Sequence, residues 1–289
     1  MGIMITSEEL INLLTLKRKG ENHFEGQNYK TAWGRVFGGQ VLGQSLHAAY
    51  QTVSKDRIAH SMHGYFILGG DINIPIDYHV DTIRDGRSFT TRRVVAFQNG
   101  KAIFNMAASF HIKEKGESHQ INMPNVLTPD LLLTDIQQAE KLQHKDPERF
   151  LRIMKAHPQI FEFKPVDKAI YLQTQNSAPF AHIWFRIKEK IQVDLSFQHQ
   201  ILAFASDYSL LLTATLPHRE KLKNSKMYYA SLDHALWFHR EYKIDDWLLY
   251  VIESPSASNA RGFSRGSIFN KRGIMVASVT QEGLMRKYI

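Results

Sequence analysis

The chain contains no cysteine. Disulfides, thiolate metal ligands and a cysteine nucleophile are therefore excluded, and a reducing cytoplasm is the expected setting. No apolar run is long enough to span a bilayer. The apolar stretch at residues 10–16 follows two glutamates and has neither a basic leader nor a small-residue cleavage site, so it does not read as a signal peptide. Met1-Gly2-Ile3-Met4-Ile5-Thr6 formally matches a myristoylation acceptor, but so short a pattern often matches by chance and a plain start is favoured. Lys287-Tyr288-Ile289 is not a peroxisomal address. Gly38-Gly39-x-x-x-Gly43 has neither a Gly-Lys-Ser/Thr ending nor dinucleotide spacing, which argues against a nucleotide loop. No Gly-x-Ser-x-Gly elbow is present. His234 with His239, and His60 with His63, lie on strand-like segments without a matching carboxylate spacing, so they read as structural rather than as metal ligands.

What is present describes an ordinary globular protein. A length of 289 residues can bury a full core in one or two domains, and 43% hydrophobic with 22% charged residues excludes a disordered chain. The formal charge of +8 predicts attraction to polyanions. Nucleic acid, an anionic membrane and a phosphate-bearing small molecule all remain open on charge alone.

Order along the chain points to a duplication. Ser7-Glu8-Glu9 caps a short amphipathic helix over residues 10–16, and residues 24–29 read as a strand. Residues 41–50 form a helix with Val41, Ser45 and Ala48 or Ala49 on one face. Strands follow at 61–68, 76–83, 89–97 and 102–111, the last two joined by Asn99-Gly100, a strong hairpin signal. Residues 114–168 are polar and proline-punctuated, with a helical pattern over 131–142, and read as a connection. The order then recurs: a strand at 181–187, a helix at 202–216, and strands at 230–239, 247–254, 262–269 and 274–281. Local parallels support it, His63-Gly64-Tyr65-Phe66 with His234-Ala235-Leu236-Trp237, and the segment at Asp85-Gly86-Arg87 with that at Asn259-Ala260-Arg261. The expected architecture is α+β, a tandem (double) hotdog in which each half wraps an antiparallel sheet around a long helix. The expected division is 1–113, a linker with helix over 114–168, and 169–289.

Three side chains stand out in the second half. Asp207 shares a helical face with Phe204 and Leu211, where burial is expected; alone it reads more readily as an N-terminal helix cap or a residue at a solvated edge, and Gln281 tips the balance. Gln281 continues the strand face of Met275, Ala277 and Val279, placing an amide at the end of an apolar row where it needs partners. Ser231 opens a strand and supplies a hydroxyl. Together they could hold one water against an electrophilic carbonyl. The first half lacks the set: the position of Asp207 aligns near Gly38 to Gln40, and that of Gln281 falls at Ala108 or Ser109. Amides of Gly38, Gly39 and Gln40 at a helix start could receive a phosphate or an oxyanion. Arg87, Arg261 and Arg265, near corresponding hairpins, could rim a pocket for a phosphorylated ligand or be ordinary surface.

Four segments, GRVFGGQVLGQSLHAA (34–49), SLDHALWFH (231–239), WLLYVIESPSASNARGFSRG (247–266) and VASVTQEGLMR (276–286), resemble the acyl-CoA thioesterase II family, with similarity over nearly the whole chain. The resemblance implies a double hotdog that hydrolyses acyl-CoA to free fatty acid and CoA. It implies that the catalytic aspartate is Asp207, the hydroxyl residue Ser231, where members often carry threonine, and the glutamine Gln281. It requires neither cofactor nor metal. Its substrate is acyl-CoA, probed by a basic rim, with the tail in apolar space between the halves and with no role for nucleic acid or membrane insertion. A cytoplasmic homo-oligomer is expected. A hotdog enoyl-CoA hydratase or dehydratase, and a non-catalytic acyl-CoA or lipid-binding protein, are the alternatives from this sequence.

Overall fold

The computed structural model describes residues 6–223 and 225–288; the Met1-Gly2 start and the terminal Ile289 lie outside the described residues. The first part runs α1 (Ser7–Leu14), β1 (Lys17–Arg18), β2 (His23–Gly26), α2 (Gly38–Tyr50), β3 (Ile58–Phe66), β4 (Ile76–Asp85), β5 (Phe89–Gln98) and β6 (Lys101–His111). A connection with α3 (Asp135–Glu140), α4 (Pro147–Ala156) and β7 (Phe161–Pro165) leads to β8 (Phe180–Ile187) and α5 (Leu195–Ser206). Then come α6 (Leu210–Thr213), α7 (Arg219–Leu222), β9 (Met227–Ser231), β10 (Asp233–Phe238), β11 (Leu248–Ser258), β12 (Arg261–Asn270) and β13 (Met275–Lys287).

Among the described residues the strands make one antiparallel sheet in the order β1-β2-β4-β5-β6-β3-β10-β13-β12-β11-β8-β7, with β9 also on β13. The order reads alike from both sides of its centre. In each half the strand before the long helix lies outside, the strand after it lies at the centre, and a three-strand meander fills the space between. The two central strands pair directly, with His63 opposite Ala235 and Gly64 opposite His234. The segments that parallel each other in sequence are thus neighbours across the junction.

Local chemistry explains the turns. Asn99 and Gly100 adopt φ of 49° and 72°, the doubly left-handed conformation that a two-residue hairpin needs. Asn259 and Ala260 do the same between β11 and β12, at 47° and 58°. Along β6, Phe104, Met106, Ala108 and Phe110 face the core, and along β13 Ala277, Val279 and Gln281 do so, as period-two patterning requires. Thr6 caps α1 and Glu9 reciprocates, one residue earlier than the serine expected.

Helix α2 is buried on all sides from Gly39 to Ala49, because it lies between the sheet and α5 rather than presenting a single face. The two helices run antiparallel with their backbones in contact. A Cβ on Gly39 would sit 2.3 Å from the Phe204 carbonyl oxygen, and one on Gly43 would sit 2.9 Å from that of Gln200. Polar groups trapped at this contact are paired: His47 Nδ1 with Gln200 Oε1 at 3.0 Å, and the Tyr50 hydroxyl with His199 Nδ1 at 3.0 Å.

The helix expected over 202–216 is instead α5, a break at 207–209, and α6. Ser209 takes a left-handed φ of 73°, which ends one helix and starts the next at an angle. The connection also differs from expectation. Helix α3 begins only at Asp135, α4 was not foreseen, and β7 pairs with β8 as part of the sheet. Residues 123–132 of the connection cover Trp184, Trp247, Leu249 and Phe269 on the outer face of the second half, where Trp184 Nε1 donates to the Leu127 carbonyl at 2.9 Å. Among the described residues no helix is long and apolar enough to cross a membrane.

The α2–α5 contact generates a stability prediction. Gly39→Ala should lower unfolding free energy by about 1–3 kcal/mol, because a methyl group must displace helix backbone rather than a flexible side chain. Denaturant titration of the variant against wild type measures it.

Candidate active site

Asp207 is the C-cap residue of α5. A carboxylate there is disfavoured by the helix's own dipole and by its surroundings, so its partners decide whether it can ionise. The N-terminus of α2 abuts it: the Gly39 N–H donates to Oδ2 at 2.9 Å. Glycine at 38 permits this approach, since a Cβ there would lie 2.7 Å from the same oxygen. The other oxygen, Oδ1, accepts from Gln281 Nε2 at 2.6 Å and from Ser231 Oγ at 3.3 Å. Donors from α2, β9 and β13 therefore converge on one carboxylate. Burial pushes the Asp207 carboxyl above the ordinary aspartate range, while the bonds from Gln281, Gly39 and Ser231 pull it back down.

The break between β9 and β10 places Ser231. Leu232, between the two strands, gives its N–H to the Glu282 carbonyl of β13 at 2.9 Å and accepts from the Phe66 N–H at 2.9 Å, and Ser231 lies beside Gln281, whose Nε2 reaches Ser231 Oγ at 3.2 Å. Gln281 must present nitrogen to the carboxylate, because an ionised carboxylate only accepts. One N–H goes to Asp207, and the other faces Ser231 Oγ and His234 Nδ1, the latter at 3.3 Å. His234 Nε2 contacts Ser206 Oγ at 2.9 Å, and that hydroxyl donates to the Ala203 carbonyl at 2.9 Å. Burial drives the His234 imidazole down to about 3, so it is neutral and its Nδ1 can accept. A line of hydrogen bonds thus runs from the end of α5 through His234 to Gln281 and back to Asp207.

Two cavities meet at Asp207. One, of about 360 Å³, is walled by Phe37, Tyr208 and Leu212 near the carboxylate and by Ile153, Pro158 and Ile170 farther away. The second, of about 560 Å³, holds Ser231 and Gln281 and is bounded by Arg35, Gly38, Gly70 and Tyr228. Trp33, Phe37, Asp207, Leu211 and Leu212 belong to both.

The structure brings Asp207, Ser231 and Gln281 together and distributes the expected binding residues differently. Gly38 and Gly39 are not the first-half equivalents of Asp207; they touch it, because α2 and α5 pack antiparallel. Gly38 lines the larger cavity, whereas Gly39 spends its N–H on Asp207. Gln40 points into the core, where its Nε2 donates to Asn28 Oδ1 at 2.6 Å, and its N–H goes to the Phe37 carbonyl at 3.1 Å. Arg261 pairs with Glu282 at 2.9 Å and Arg265 with Glu253, while Arg87 sits at the β4–β5 hairpin, its carbonyl held by Arg57. None of the three lines either cavity. Arg152 lines the smaller cavity and Arg35 the larger, where its guanidinium bonds the Tyr228 hydroxyl and lies over its ring. The signal for Arg35 was its place two residues before the Phe37-Gly38-Gly39 helix start. The histidines resolve structurally: His60 bonds Ser109 and His239 bonds Ser278, while His63 packs edge-on against Trp237.

Two helices packed antiparallel inside a continuous antiparallel sheet, with a carboxylate at one helix end meeting the other's N-terminus, give a hotdog-type fold. A solved Alicyclobacillus acidocaldarius protein described as having a hot dog fold shares that fold at a TM-score of 0.74, with 17% identity over 96% of this chain and 98% of its own. Residues 155–284 match the acyl-CoA thioesterase family, and residues 29–111 match the acyl-CoA thioesterase N-terminal domain. The chain is 36% identical over 277 residues to acyl-CoA thioesterase 2 of Haemophilus influenzae, covering 96% of each. It also superposes on an acyl-CoA thioesterase II from Mycobacterium marinum with a TM-score of 0.79 and 35% identity, over 96% of this chain and 98% of that one. The chain belongs to the acyl-CoA thioesterase II family.

The electrostatics predict a titration. The Asp207 carboxyl should titrate above 3.8, its ordinary value, and in Gln281→Met it should titrate higher still, because a donor to the charged form is lost. Carbon-detected NMR of the labelled carboxyl reads both shifts; a lower value in the variant would contradict the role given to Gln281.

Proposed function

We propose that Asp207 is the general base of thioester hydrolysis, in a chain built as a tandem hotdog divided at 1–113, 114–168 and 169–289, with β7 joining the second sheet half. As a member of its family the protein is an acyl-CoA thioester hydrolase. The observation that carries the assignment of roles is the convergence of three donors on the Asp207 carboxylate at the junction of the two cavities.

In this mechanism a water at the junction gives one proton to Asp207 while Ser231 Oγ accepts the other in a hydrogen bond. The water oxygen attacks the thioester carbonyl carbon. The developing oxyanion faces the N-terminus of α2, where the Gly38 N–H is the amide left to receive it after Gly39 has bonded Asp207. Collapse breaks the carbon–sulfur bond, and Asp207 returns its proton to the departing CoA sulfur. The products are a carboxylic acid and a thiol, with no covalent acyl-enzyme. Gln281 acts on the carboxylate more than on the water: it fixes the rotamer and favours the ionised form.

Arg35 is the proposed partner for a phosphate of the CoA moiety, since it is the cation bounding the polar cavity. Arg87, Arg261 and Arg265 then serve at most as distant charge. The proposal places the enzyme in the cytoplasm as a homo-oligomer; the exposed apolar side chains of Tyr65, Ile121 and Leu131 offer contact surface.

Asp207→Asn should keep the fold and lower kcat for acyl-CoA hydrolysis by roughly 10²–10⁴-fold. Thiol-reagent assays read only released CoA, because the protein has no thiol of its own. In the wild type kcat/KM should rise with pH through a value above 3.8, since burial delays formation of the base. Wild-type turnover by the asparagine variant would remove Asp207 from the mechanism.

A further inference from the structure

The connection between the two halves is more than a tether. Helix α4 is strongly patterned, with Phe150, Ile153 and Met154 turned inward, yet none of its residues is fully buried. Phe150 and Ile153 pack against a small apolar cluster of Ala139, Ala169 and Leu172. Ile153 and Ala156 also line the 360 Å³ cavity, which Phe37, Tyr208 and Asp207 line as well. Pro158 and Ile170, from the turns that follow, line it too.

Polar bonds hold this wall as well. His157, the C-cap of α4, bonds Asp135 at the start of α3 through Nε2 and Oδ2 at 2.9 Å, and both side chains are buried. Arg149 donates to the Tyr171 carbonyl at 2.9 Å, tying the middle of α4 to the segment after β7. Directional bonds of this kind fix position where packing alone does not. These bonds tie α4 to α3 and to the segment after β7.

The two cavities differ in character. The one lined by α4 is walled mainly by aromatic, aliphatic and proline side chains, with Asp135, Arg152 and His157 among its lining. The other carries Arg35, Ser231, Gln281 and the glycines Gly69 and Gly70. A thioester joins a hydrocarbon to an amide- and phosphate-bearing thiol, so a substrate spanning Asp207 would place its two unlike ends in these two unlike spaces.

We infer that the acyl chain enters the cavity walled by α4, and that Ile153, Ala156 and Ile170 set the longest chain accepted. This rests on the proposed thioesterase site and adds the direction in which substrate lies across it. The segment between the halves thereby becomes the determinant of chain-length preference.

The test is a kcat/KM series from butyryl- to stearoyl-CoA for wild type, Ile153→Trp, Ala156→Trp and, in the other cavity, Val36→Trp. Each tryptophan at the α4 wall should lower the ratio of palmitoyl-CoA to hexanoyl-CoA kcat/KM by roughly tenfold or more, as expected when pocket contacts reject added methylenes. Ala156 is exposed on its outer side, so its variant keeps the test alive should Ile153→Trp fold poorly. Val36→Trp should raise KM for all chain lengths alike. An unchanged ratio in both α4 variants, or a ratio shift in Val36→Trp alone, overturns the inference. Failure of the wild type to release CoA from any chain length would instead sink the underlying reading of the site.

Discussion

The site depends on one contact, a backbone N–H of α2 meeting a carboxylate at the end of α5. That bond requires two helix backbones close enough to touch, and hence glycine at both Gly38 and Gly39. It also requires a sheet that wraps both helices, since neither could be buried on every side by a single layer. The energetic logic is mutual. A desolvated aspartate would stay protonated without its donors, and the exposed amides of a buried helix N-terminus would be unsatisfied without an acceptor. Each element repairs the deficit of the other, and a buried carboxylate with its acceptors filled results.

The halves divide the work accordingly. The first supplies the helix N-terminus, the rim with Arg35, and the aromatic wall at Phe37. The second supplies Asp207, Ser231 and Gln281, together with His234, which braces the glutamine from behind. Its parallel in the sequence, His63, is exposed, packs on Trp237 and has Ala107 opposite it, while the residue paired with His234 across the junction is the buried Gly64.

The sequence made much of this legible because the signals were local. Asn99-Gly100 marked its hairpin, and the alternation through Ala277, Val279 and Gln281 put the amide on the buried face. The helix over 202–216 misled for a physical reason: the apolar rhythm continues from Phe204 to Leu211 across the break, and Ser209 adopts a left-handed conformation that glycine or asparagine would have advertised. Asp207 consequently read as a residue on a helix face when it is a helix end. Helix α4 escaped because Pro147 and Pro158 read as loop punctuation, although Pro147 sits in the first turn of the helix behind the Asp146 cap. The arginines were chosen by symmetry between hairpins, but Glu282 and Glu253 already neutralise two of them.

The pairing of β3 with β10 has a further consequence for how this molecule avoids its own kind. Two separate sheets would offer four bare borders, and strand borders recruit other strands. Joining the halves turns two of those borders inward. The remaining ends are blunted: β1 is two exposed basic residues, and β7 finishes at Pro165, which has no N–H to offer. The β3–β10 pairing therefore leaves the sheet two blunted borders in place of four open ones, and little free edge on which further strands could grow.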